Sequence, residues 1–287
     1  MQFGCLQLDL VLGGRFRLDG GAAFGVAPRA LWERRFPVDA SNRVSLAAHC
    51  LLVRDAGFTV LIETGLGDKW DEHERVAYAI DSRPTLEEGL AARGVRADRI
   101  DAVILSDLRF GHSGGATRRD GPRLLPVFPN ATLFVPDAEL AYARTHERDG
   151  GPAWYRPENW EPYAEAGRLA TVSGEAEIRP GVTVIPLAGD VGGGQAVRID
   201  SEGKTAFAFG GVLPTAAHVP IPWILEDDLH QYPVERIAER KRLLDRAAAE
   251  GWLCVFENDP DVPWGTIVDE VNGKRRVHPV RADRTEF

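Results

Sequence analysis

Short apolar runs separated by turn-forming residues dominate the chain, and their spacing predicts many short strands interleaved with a few helices. Residues 5–12 (CLQLDLVL) alternate in part and predict a strand that stops at Gly13-Gly14. Residues 15–43 read as irregular, with a short helix near Trp32. Strands are predicted at 45–53 and 58–63, joined at Asp55-Ala56-Gly57, and a short helix at 85–93 carries Glu87 and Glu88 in its first turn, where the helix dipole favours acids. Ala102-Val103-Ile104-Leu105 reads as a buried strand, 131–136 as another, and a helix starts near Asp137. Residues 150–167 hold Trp154, Tyr155, Trp160 and Tyr163 between prolines and read as a lid-like insert. Strands recur near 169–173, 182–187, 195–200 and 205–210. The clearest helix is 233–250, with Val234, Ile237, Ala238, Leu244 and Ala248 on one face, stopped by Gly251 before a buried strand at 253–256.

No long polar linker divides the chain, so residues 1–287 read as one domain with two similar sheet halves. Hydrophobic residues at 44% can build a core, and charged residues at 27% can cover it. The formal net charge of −9 argues against nucleic acid or an anionic membrane as the main partner. Arg118, Arg119 and Arg123 form only a local basic cluster, read as a solvated loop. Three widely spaced cysteines contain no Cys-x-x-Cys pair, which excludes a zinc ribbon or redox motif. Cys50 and Cys254 sit in apolar runs as core thiols. The first residues lack the basic and apolar regions of a secretory leader, so the expected location is a reducing cytoplasm.

Candidate chemistry concentrates where apolar runs end. After the run at 102–105 comes Ser106-Asp107-Leu108-Arg109-Phe110-Gly111-His112-Ser113-Gly114-Gly115. This segment resembles the metal-binding loop of the metallo-β-lactamase superfamily, which reads His-x-His-x-Asp-His before a Gly-Gly pair. Four more segments match that family in order: 59–67, with Glu63 replacing an Asp; 186–194; the Gly turn at 209–212; and the closing segment 256–260. Residues 18–25 resemble a segment of the lactonase-like branch. The resemblance implies a four-layer αβ/βα sandwich of the α/β class. It also implies two zinc ions between the sheets at the strand ends, and dimer packing through lid segments at 1–43 and 150–167.

The ligand positions are mostly rewritten. Those of the first ion fall on Asp107, Arg109 and Asp190, those of the second on Gly111, His112 and Asn258, and the bridging position on Gly211. Glycine offers no side-chain ligand, and arginine has no lone pair to give. The expectation is therefore no bound metal. Asp107, Arg109 and Asp190 would converge at the first-ion position, with the Arg109 guanidinium bridging the two carboxylates as a substitute for the metal.

His112, Asp107, Arg109 and Asp190 are the candidate catalytic residues. His218, Asn258, Trp32 and Trp154 are candidates for contacting a small molecule, anionic if Arg109 takes part. For His218, a loop histidine bonded to backbone is the competing reading. For Trp223 it is core or dimer packing. His49 reads as a core residue; His73, His146, His230 and His278 read as exposed. Three functions stay open: a member that is no zinc hydrolase and keeps a small-molecule pocket; a metal-free hydrolase, lyase or isomerase; and a lactonase-like hydrolase with one metal held by Asp107, Asp190 and His112.

Overall fold

The computed structural model describes residues 1–148, 154–188, 193–220, 233–271 and 273–281. Two seven-stranded sheets carry the fold. The first contains, in spatial order, Gln2–Phe3, Leu6–Asp19, Arg43–Arg54, Thr59–Ile62, Ala102–Ile104, Thr132–Pro136 and Leu169–Val172. The second contains Ala176–Arg179, Val182–Pro186, Gln195–Ser201, Lys204–Ala208, Leu253–Val255, Trp264–Asp269 and Arg275–Pro279. A separate hairpin pairs Thr117–Asp120 with Arg123–Pro126.

The layers follow from which faces are apolar. Leu8, Leu51, Val53, Ile62 and Ile104 of the first sheet meet Val184, Val197, Ile199, Leu253 and Val255 of the second in a shared core. Outside the first sheet, Leu90 and Leu140 of the helices Leu86–Ala91 and Asp137–Arg148 pack on Leu61, Val103 and Leu133. Outside the second, Leu243, Leu244 and Ala247 of the helix Pro233–Glu250 pack on Phe207 and Cys254. The result is the expected αβ/βα sandwich. Parallel strands dominate the site side of the first sheet, and Lys204–Ala208 runs parallel to Leu253–Val255 in the second. Their C-terminal ends therefore open on one edge.

Three readings need correction. The first long strand does not stop at Gly13-Gly14 but runs on to Asp19, with its register shifting between Leu12 and Arg15. The glycine pair makes a bulge rather than an end. A Cβ on Gly13 would collide with Gly65, whose own left-handed φ of 68° suits glycine. Next, the described part of 150–167 is anchored, not lid-like. Trp160 and Tyr163 are fully buried, and the Tyr163 hydroxyl accepts from the Phe128 amide. Lastly, the buried face of the helix Pro233–Glu250 is offset from the apolar stripe. Val234 and Ala238 are exposed, while Arg236 and Arg240 are buried and donate to the carbonyls of Gly211 and Val212.

Cys50 and Cys254 are buried thiols, as expected, and Cys5 is exposed. His73 and His278 are exposed, whereas His146, Trp223 and His230 fall outside the described residues or side chains. Arg118 and Arg119 lie in solvent on the hairpin, paired with Glu87 and Glu158. Among the described residues no helix is long and apolar enough to cross a membrane.

Candidate functional site

Four strand ends build one floor. Glu63 follows the strand Thr59–Ile62, and the loop 106–112 follows Ala102–Ile104. From the second sheet, Gly210-Gly211 follow Lys204–Ala208, and Glu257-Asn258 follow Leu253–Val255. The sheets are tied together here: Gln195 donates its backbone N–H to Ser106 and its side-chain amide to Leu105, at 2.9 and 2.8 Å. The backbones of His49 and Ala47 donate to the carbonyls of Glu257 and Asn258.

The loop itself is held from three sides. Asp107 Oδ1 accepts from the Arg109 amide at 2.8 Å, a tight local turn. Buried Glu139 accepts from the Leu108 amide, and His112 O accepts from both the amide and the hydroxyl of Thr64. Glu63 lies at φ 65°, a left-handed conformation uncommon for a residue with a side chain. Such strain is kept where surrounding structure fixes it, often at a site.

The charged groups form a chain. Arg109 Nη2 lies 2.7 Å from Asp107 Oδ2. His112 Nε2 lies 3.5 Å from that same oxygen, and His112 Nδ1 lies 3.2 Å from Glu63 Oε2 and 3.3 Å from Ser106 Oγ. Burial alone would make His112 neutral, but the Asp107 and Glu63 carboxylates outweigh it and push its pKa up to about 9. Burial likewise opposes the Asp107 charge, yet Arg109 and His112 hold that carboxyl below its ordinary value. Beneath them, burial and then the Glu63 charge push Glu257 up to about 8.

Above the floor lies an open cleft of about 580 Å³. Phe16 and Leu46 from the first sheet, with Phe110 and Trp154, give it apolar walls; Arg109, His112, Thr215, His218 and Asn258 supply its polar lining. Phe110 and Trp154 stack with centroids 5.5 Å apart, and the Trp154 carbonyl accepts from the Phe110 amide.

The structure therefore brings Asp107, Arg109, His112, Asn258, His218 and Trp154 together. Trp32 stands apart from the cleft lining. It stacks on Phe24 at 4.7 Å and donates to the Ala27 carbonyl, as a core residue of the N-terminal segment. His218 is bonded at both ring nitrogens, to the Ala23 carbonyl and the Thr215 hydroxyl, so the backbone-bonded geometry is the one adopted. Burial and nearby Arg240 lower its pKa to about 3. His49 is largely buried, bonded to the Asp259 carbonyl. Asn258 donates to the Ala47 carbonyl. Asp190 lies outside the described residues, so only the Asp107 half of the expected Arg109 bridge is seen.

Sequence reasoning named Trp154 among the walls but missed Glu63, Glu257, Ser106 and the wall residues Phe16, Leu46 and Phe110 as parts of the site. Glu63 and Glu257 carried a usable signal: each sits at a matched strand end, beside or within a family motif.

The described residues do not fit a dinuclear zinc centre. A guanidinium already sits against Asp107, at the first-ion positions. A Cβ on Gly211 would overlap Arg109 Nη2 and lie 3.5 Å from Asp107 Oδ2, so the turn that would present a bridging carboxylate is closed by the Arg109 side chain. Among the described residues no group of three or more His, Cys, Asp or Glu side chains is placed to hold a metal. A cation among so few donors opposes a second cation.

No curated protein sequence matches the chain. Among solved structures, it is similar to a probable metal-dependent hydrolase from Staphylococcus aureus, with 23% identity and a TM-score of 0.87 over 98% of this chain and 100% of that one. It is also similar to AbOPH, a hydrolase in the beta-lactamase superfamily, with 18% identity and a TM-score of 0.80 over 98% of this chain and 96% of that one. A third is AidC, a dizinc quorum-quenching lactonase, with 18% identity and a TM-score of 0.78 over 98% and 96%. At these identities the likeness speaks for the fold. The family model of the metallo-beta-lactamase superfamily matches residues 45–219, which hold most of the site, and the chain belongs to that superfamily.

Proposed function

We propose that this chain is a superfamily member that has left dinuclear zinc hydrolysis behind and uses the cleft to bind a small molecule. The carrying observation is the Arg109 guanidinium 2.7 Å from Asp107, in the space that Gly211 leaves open. Positive charge that a metal would bring is supplied by the chain itself. Three cysteines without a disulfide among them support a reducing cytoplasm as its location.

A metal-free enzyme is the second reading, and one observation favours it. His112 faces the cleft and, with its pKa near 9, carries a proton at neutral pH, which suits a general acid. Against it, no carboxylate lines the cleft among the described residues, and the neutral His218 ring that does is bonded at both nitrogens.

The test is hydrolysis of an N-acyl homoserine lactone, the chemistry of the lactonase relatives, with excess zinc and with a chelator. The expected outcome is no chelator-sensitive turnover. Turnover that zinc restores after chelation sinks the proposal in favour of the metallo-hydrolase reading.

A further inference from the structure

Away from the cleft, we infer that the outer edge of the strand Thr117–Asp120 docks an extended acidic segment of another protein. That segment adds to the hairpin as a third strand and sets two consecutive carboxylates against Arg118 and Arg119. The hairpin is a two-stranded sheet of its own, outside both large sheets. Its register and two-residue turn, Gly121-Pro122, make Asp120 and Arg123 a hydrogen-bonded pair, and bonded and non-bonded pairs then alternate away from the turn. The Val127 amide donates to the Ala116 carbonyl at 2.9 Å, a bonded position of that alternation, which confirms its phase. Thr117 and Arg119 therefore turn their backbone N–H and C=O groups away from the partner strand. The chain covers the start of this outer edge itself: the Gly115 amide donates to Gly65 O at 3.1 Å, and the Lys69 ammonium donates to Thr117 O at 2.7 Å. The cover stops there. Among the described residues the outward N–H and C=O of Arg119 meet no partner. An exposed strand edge with both groups open is a template for strand addition.

The chemistry of the partner follows from the side chains. Alternation along a strand puts Arg118 and Arg119 on opposite faces. On one face Thr117 Oγ1 donates to the Glu158 carbonyl and Arg119 pairs with the Glu158 carboxylate; on the other Arg118 reaches Glu87. Each guanidinium meets its carboxylate through one nitrogen, and the two side chains are 50% and 57% exposed. Ion pairs so exposed are weak and exchange readily. A strand laid along this edge sends its consecutive residues to the same two faces, so adjacent acids meet one arginine each. With Arg123 across the turn, three arginines fall within residues 118–123 of a chain whose net charge is −9. Thr117, Arg118 and Arg119 line a groove that Ser82, Thr85 and Glu87 also line, and it shares no lining residue with the cleft. A second copy of this chain fits the edge poorly, because antiparallel self-pairing sets arginine against arginine.

The experiment is fluorescence anisotropy of the full chain with a labelled, end-blocked hexapeptide TVEEVT, whose flanking residues favour an extended backbone. The controls are TVQQVT, TVKKVT and a TVEEVT methylated on the backbone nitrogens of both glutamates. At low salt TVEEVT should bind at least about fivefold tighter than TVQQVT, as two exposed charge pairs allow, and TVKKVT should bind weakest. Backbone methylation should weaken TVEEVT by about fivefold, through lost main-chain bonds with all charges kept. Arg119→Pro should weaken it at least as much, because it deletes the outward N–H and spares the bonds within the hairpin. The double variant Arg118→Glu with Arg119→Glu keeps both backbone groups and should reverse the preference between TVEEVT and TVKKVT, which keeps the test open if the proline variant folds poorly. No binding of TVEEVT at about 1 mM, equal binding of TVEEVT and TVQQVT, or indifference to backbone methylation overturns the inference. A uridine oligonucleotide that binds tighter than TVEEVT, or sedimentation showing self-association that the double variant abolishes, overturns it in favour of nucleic acid or of a second copy.

Discussion

His112 and His218 line the same cleft and are both buried, yet one is held charged and the other neutral. His218 on the side wall meets a carbonyl and a hydroxyl, with arginines nearby, and burial takes its pKa down to about 3. His112 on the floor meets the Asp107 and Glu63 carboxylates, and these overcome the same burial to reach about 9. Burial lowers both rings; it prevails at His218, where no carboxylate opposes it, and is overturned at His112 by the two carboxylates. The wall is built for packing, and the floor is built to hold positive charge.

The largest effect that can break this contrast is Asp107→Asn. It leaves Arg109 and His112 short of a shared buried partner, and the expected cost is about 3–5 kcal/mol in denaturant unfolding. A loss under about 1 kcal/mol would show that the floor charges are screened as surface pairs are.

The pH dependence sharpens it. His112 binds its proton more tightly folded than unfolded, so its contribution is fully present below about 6.5 and is lost as pH rises through about 9. Glu257, raised to about 8 from 4.5, acts with the same sign over a lower window. His218 has the opposite sense. The unfolded chain takes up its proton first, so stability falls as pH drops from about 6.5 towards 3. Each of the two histidines should contribute on the order of a few kcal/mol across its window. Unfolding measured against pH should lose its slope between 7 and 9 in part with His112→Asn, and its acid slope in part with His218→Asn. Interchanged effects would reverse the assignment.

Smaller still, Gly211→Ala should cost about 1 kcal/mol, the low end for overpacking, because a guanidinium is the mobile end of a long side chain. A cost well above that would mean Arg109 has nowhere to go. Trp154→Ala should cost about 0.5–1.5 kcal/mol beyond lost burial, from its stack on Phe110, and should leave both pH slopes unchanged.

Much of the scaffold was legible because strand ends carry the family's motifs in order, and the loop after 102–105 named Asp107, Arg109 and His112 directly. The rest depended on packing. Gly13-Gly14 read as an end because glycine pairs usually punctuate strands, whereas here they let Gly65 approach. Trp32 read as a pocket wall because aromatic loops often are, but its ring found Phe24 first. The helix at 233–250 hid Arg236 and Arg240, since no periodicity rule marks an arginine that reaches a buried carbonyl. Glu63 was seen as a substitution within a motif; that its carboxylate meets His112 required the two strands side by side.

The most direct test of the central claim, that arginine and imidazolium stand where the family uses metal, is zinc stoichiometry by plasma mass spectrometry. The full chain is purified without chelator, incubated with excess zinc and desalted. Our account predicts zinc far below one ion per chain, with Arg109→His raising it by removing the competing cation. Near-stoichiometric zinc in the wild-type protein would contradict it.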